Sequence, residues 1–206
     1  MNSKNFFETW KSFVRKEIIN FSFWQKVAFI NLCCERVLPN YLFYAKAQKF
    51  GNPEFLRILL NKSWFCLEKK SIPFSEEVYK CLKKLETSHI VPDSSESMFA
   101  NWAQDSIISV YDLLRYYQNK EDDLIIKISL VSIETVLKYI YEKFGYIDDF
   151  HPDYEEILLS YEIMENEISK QKDYLNTISN IKILNEFQVK ALRKNFVQED
   201  SNIGLK

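Results

Sequence analysis

The chain has 206 residues, 47% hydrophobic and 16% aromatic, with 27% charged residues and a formal net charge of -2. That composition excludes a disordered chain, and a single domain of this length buries roughly 70% of the surface its unfolded form exposes, so no disulfide or metal staple is required. A sequence pI near 5.8, with basic residues only in short steps such as Lys83 and Lys84 or Arg193 and Lys194, argues against a nucleic-acid partner.

No stretch reaches the ~18 unbroken apolar residues of a membrane span. The opening MNSKNFFETWKSF lacks the basic region and apolar core of a signal segment, so a cytoplasmic protein, at most peripheral to a membrane, is expected. Cys33, Cys34, Cys66 and Cys81 lack the paired two-residue spacings of a zinc site and are expected as free thiols in a reducing compartment.

Three glycines and five prolines are too few breakers for an all-β domain, so the expected fold is all-α. It is read as one multi-helix bundle domain over residues 1–206, with a long helical segment at its C-terminal end. Phe6, Trp10, Phe13 and Ile18 recur at helical spacing and predict a first helix over about residues 3–20. Ser22 and Gln25 form a capping-box pattern for a second helix, which Pro39 is expected to end or kink before a short continuation closed by Gly51. Asn52 and Pro53 open a third helix running to about Lys70, and Ser75, Glu76 and Glu77 open a fourth. A polar loop over residues 89–97 precedes a long helix from Met98 to about Tyr117. Asp122 and Asp123 then start another, stopped by Gly145.

From Asp153 to Phe196 the pattern stays helical, yet one helix of that length would be about 66 Å long, twice the expected diameter of the domain. A break is expected near residues 176–180, where Asn176, Thr177, Ser179 and Asn180 are poor helix formers. The rival is one continuous helix whose seam of Ile157, Tyr161, Met164 and Ile168 meets a second copy. Ile203 interrupts an otherwise polar tail and is expected to dock into the domain.

WQKVAF at 24–29, CERVLPNY at 34–41, Phe50 with Gly51, Arg57, Trp64, the Asp105 helix, the Ser132 to Val136 step and SNIG at 201–204 together resemble the bacterial YjaG-like family, domain-of-unknown-function family 416. The resemblance is weak between about residues 146 and 185, where this chain is longer than the family pattern. It implies an all-helical fold in a bacterial cytosolic protein. No catalytic residue, cofactor or substrate comes with it.

Glu35, Arg36, Asn40, Tyr41, Arg57 and Asp105 are polar residues set in the most apolar segments. A carboxylate held by arginine with a tyrosine nearby has the parts for proton transfer, so Glu35, Arg36, Asp105 and Tyr41 are the candidate catalytic residues. The competing reading is a buried ion-pair network joining the second, third and Asp105 helices, with Arg36 or Arg57 bridging carboxylates. Glu86 with His89 and Asp148 with His151 have the three-residue step of di-iron bundles but lie beside prolines, and no metal site is expected. With no glycine-rich loop, no cofactor is expected either. The aromatic steps at Phe6, Phe7, Tyr116, Tyr117, Tyr139, Tyr141 and Tyr146 are read as core packing. The function expected is a non-catalytic interaction or regulatory role with an unknown protein partner or a second copy of the chain. The alternative is an enzyme using Glu35, Arg36 and Asp105.

Overall fold

Capping residues set several of the helix boundaries. The computed structural model of the protein describes residues 3–73, 75–87, 89–93, 97–197 and 200–205, so residues 94–96 of the expected loop and Lys206 of the tail lie outside it. Among the described residues there are nine helices and no strand: α1 (Ser3–Ile18), α2 (Phe23–Gln48), α3 (Pro53–Lys69), α4 (Ser75–Leu85), α5 (Met98–Asn119), α6 (Asp122–Phe144), α7 (Tyr154–Leu159), α8 (Glu162–Ser179) and α9 (Glu186–Phe196). The Ser22 and Gln25 box and the Asn52 cap form as expected, and Ser97 and Asn185 cap α5 and α9 in the same way. With so few glycines, α2, α3 and α5 instead end on left-handed lysines: Lys49, Lys70 and Lys120.

Every residue from 27 to 41 is buried, which identifies α2 as the central helix. It packs against α3, α5, α6, α8 and α9, while α1 lies on α6, α7 and α8, and α4 on α5. All nine helices and Ile203 of the tail contribute to one hydrophobic core, and all four cysteines are free thiols. No helix among the described residues is long and apolar enough to cross a membrane. Of the aromatic steps read as core, Tyr116 and Tyr117 are buried but Tyr146 is exposed.

Pro39 does not end α2. A proline removes the donor to the carbonyl four residues before it, here that of Glu35, and crowds the turn that precedes it. Here the Arg36 carbonyl accepts from the Asn202 amide of the tail at 2.8 Å, and the Val37 carbonyl accepts from the Ser106 hydroxyl at 2.6 Å. The turn before the proline is thus tied to the tail and to α5.

The C-terminal helical segment is three helices. The break expected near 176–180 is present, with α8 ending at Ser179 and α9 recapped at Asn185. A second break at Ser160 and Tyr161 separates α7 from α8. Of the seam of Ile157, Tyr161, Met164 and Ile168, the first two are half-buried on either side of this break, and Met164 and Ile168 are buried on α8, which packs against α2 and α6, so no continuous helix presents the seam.

Gly51 sits at φ +79°, and a Cβ there would overlap the Tyr41 hydroxyl. That hydroxyl donates to the Ile90 carbonyl and accepts from the Asn52 amide, each at 3.0 Å, fastening α2 to the α3 cap and to the chain after α4. Gly51→Ala is expected to lower stability by about 1–3 kcal/mol through backbone strain and that overlap. Tyr41→Phe in the same chain removes the overlap and should recover part of the loss. Thermal melting of the two variants checks this, and an unchanged melt for Gly51→Ala would contradict it.

Candidate functional site

The four candidate catalytic residues do not converge. Neighbouring helix positions point about 100° apart, so Glu35 and Arg36 face different helices. Glu35 accepts from Arg57 at 2.6 Å and from the Trp64 indole N–H at 2.9 Å, joining α2 to α3. Arg36 donates to Oε2 of Glu167 from Nε at 3.2 Å and pairs with it through Nη2 at 3.1 Å, joining α2 to α8. Asp105 takes Lys138 on both oxygens, at 2.7 and 2.8 Å, and the Thr135 hydroxyl at 2.9 Å, joining α5 to α6. Burial pushes the Asp105 carboxyl above its ordinary range, against the opposing pull of Lys138 and Thr135. Tyr41 is the fastener already described. The single network expected from sequence is thus three separate pairs, with no arginine bridging two of the expected carboxylates.

Sequence reasoning missed the centre of the polar interior, Glu167. It has no exposed surface, and besides Arg36 it accepts from the Ser132 hydroxyl at 2.6 Å and the Gln171 amide at 2.8 Å. Gln171 in turn accepts from Ser129 at 2.5 Å, and Ser129 from the Trp10 indole at 2.9 Å. Asn202 of the tail donates to the Ser132 carbonyl at 2.8 Å and accepts from Asn40 at 3.0 Å. One chain of hydrogen bonds therefore links α1, α2, α6, α8 and the tail. Its signal in the sequence is Ser129 and Ser132 three apart on α6, with Glu167 and Gln171 four apart on α8. Arg36 also reaches a surface hollow of about 310 Å³ walled by Asn166, Lys170, Ser201 and Asn202, but its guanidinium is committed to Glu167.

A cleft of about 410 Å³ opens between α3, α4 and α5. Leu59, Val78 and Leu114 form its apolar depth, and the exposed Phe65 and Ile72 form its rim beside the Lys62 and Glu77 ion pair. Ser63 and Tyr117 are the polar groups of its floor: Ser63 donates to the Asn31 side-chain oxygen at 2.6 Å, and the Tyr117 hydroxyl lies 3.0 Å from the Ser63 hydroxyl. Half-buried Cys66 and Cys81 complete the walls. Burial pushes both thiols and the Tyr117 hydroxyl up, so all three are protonated at neutral pH. What the cleft can do is take up apolar surface.

The histidine steps are occupied locally. Glu86 pairs with Lys83 and accepts from Tyr111, both at 2.9 Å, and His151 Nδ1 accepts from the Asp153 amide at 3.1 Å.

Comparison with known proteins agrees with the architecture. The family model described as Protein of unknown function (DUF416) matches residues 13–206. The "Uncharacterized protein YjaG" of Salmonella typhimurium and that of Salmonella typhi are each 28% identical over 114 residues, which is 55% of this chain. The chain spans 57% of the length of these curated relatives. The crystal structure of a DUF416 family protein from Shewanella baltica OS155 superposes with a TM-score of 0.83 at 28% identity, covering 93% of this chain and 97% of that one. The chain belongs to the DUF416 family.

Proposed function

We propose that the protein acts by binding, as a non-catalytic interaction protein that takes apolar side chains of a partner protein into the cleft between α3, α4 and α5. The observation that carries this reading is the separation of charge from cavity. Glu35, Arg36 and Asp105 are each closed into a pair holding two helices together, while the described lining of the cleft is apolar or protonated apart from the rim pair. Its volume lies within the roughly 300–1,000 Å³ range of binding pockets, and the exposed rim extends the apolar surface outward as a protein partner requires. Four unpaired thiols suit a reducing cytosol, and the bacterial sources of the relatives suit a bacterial protein.

Nile red, a neutral apolar dye, reports on such a cleft. It should bind the wild-type protein saturably, and Cys81→Trp, which fills the cleft from a half-buried wall, should weaken binding at least roughly tenfold, the equivalent of 1.4 kcal/mol. Thermal melting identifies a variant that fails to fold, and Cys66→Phe then supplies the same test from the other wall. Unchanged dye affinity in a folded, cleft-filled variant would refute the reading.

A further inference from the structure

Charge of one sign collects between the end of α6 and the start of α8. Residues 142–165 contain eight carboxylates against Lys143 as their one cation, although the whole chain stands at -2, so the remainder is net basic. Among the described residues, none of Glu142, Asp153, Glu155, Glu156, Glu162 and Glu165 forms an ion pair. Uncompensated carboxylates this dense set up a field that attracts cations and repels anionic partners.

The same stretch exposes three aromatic rings, Phe144 at 63%, Tyr146 at 66% and Phe150 at 83%. They sit on an ordered connection. Tyr146 packs 5.0 Å from Tyr141 and Phe144 packs 5.1 Å from Tyr161. The Tyr141 hydroxyl donates to Asp149 at 3.2 Å, and the Phe150 amide donates to the Asp148 carboxylate at 3.0 Å. Further along the same stretch, Pro152 and Leu159 share a hollow with Asp153, Glu155 and Glu156. Phe144 and Tyr146, held in place by their ring contacts, require little further ordering when a partner arrives.

Aromatic faces within a field of unpaired carboxylates suit one chemistry above others. A guanidinium is always charged, weakly hydrated and planar, so it stacks on a ring while its N–H groups donate to carboxylates. We propose that the connection from α6 to α7 and the adjoining turns of α7 and α8 form a docking surface for an arginine-rich segment of a partner protein. The surface is independent of the apolar cleft and does not rest on it.

Isothermal titration with a decapeptide of alternating arginine and glycine, at physiological ionic strength, tests this. Saturable binding is expected. Phe150→Ser should weaken it roughly three- to fivefold, as loss of a cation–π contact does. The triple variant Asp153→Asn, Glu156→Gln, Glu162→Gln should weaken it roughly tenfold as three exposed pairings are lost. All four positions are exposed, and unchanged melting temperatures confirm that each variant is folded. Absence of binding would overturn the proposal. So would equal affinity of the Phe150→Ser variant, equal affinity for a lysine–glycine peptide, or preferential binding of DNA or anionic vesicles.

Discussion

Glu167→Ala is expected to destabilise the protein by about 3–5 kcal/mol, because it leaves the Arg36 guanidinium buried without its counter-charge. The same change strips an acceptor from Ser132 and from Gln171, both without exposed surface. Urea unfolding at neutral pH measures the loss. The double variant Arg36→Met, Glu167→Met removes both charges and replaces them with adaptable apolar side chains, so it should recover most of it. A loss within about 0.5 kcal/mol for the alanine variant, the range of ordinary surface changes, would mean that Glu167 is not the centre of the polar interior.

Truncation after Asp200 is expected to cost at least about 3 kcal/mol. Ile203 is buried, and removing such a side chain from its site forfeits about 1.5–3 kcal/mol of transfer free energy. Loss of Asn202 then leaves the buried Asn40 side-chain amide without its partner, at about 1–3 kcal/mol, and takes one donor each from the Arg36 and Ser132 carbonyls. Water entering the vacated site offsets part of that sum. Since the Arg36 carbonyl lies in the turn before Pro39, amide exchange in the second half of α2 should accelerate in the truncated protein. Unchanged stability, or unchanged exchange around Pro39, would separate the tail from the helix it is bonded to.

Local chemistry in the chain was enough to place most helices. The capping boxes at Ser22, the cap at Asn52 and the poor helix formers at 176–180 act within a turn of the boundary they set, so they are readable from one sequence. Pro39 misled for the opposite reason: α2 runs on through it, and the groups bonded to the turn before it, Asn202 and Ser106, stand far along the chain. The break at Ser160 and Tyr161 went unseen because the apolar spacing of Ile157, Tyr161 and Met164 runs across it without a phase shift.

Glu35, Arg36 and Asp105 stood out as charges in apolar helices, and all three are buried. Their partners were less legible. Arg57 lies on the next helix and had been singled out, whereas Glu167 stands in a run of acidic residues that reads as a solvated face, and Lys138 reads as an ordinary surface lysine. The cleft left no sequence signal, since Leu59, Val78, Cys81 and Leu114 each fit the core stripe of their own helix. Only the approach of α3, α4 and α5 leaves a space between them.

Methyl NMR of the protein titrated with Nile red distinguishes binding in the cleft from binding at the buried charges that hold the helices together. The predicted result is shift changes confined to the methyl groups of Leu59, Ile72, Val78 and Leu114, with Val37 and Ile133 beside the buried pairs undisturbed. Shift changes centred on the surroundings of Arg36 and Glu167 or of Asp105 and Lys138, with the cleft methyls unmoved, would contradict it.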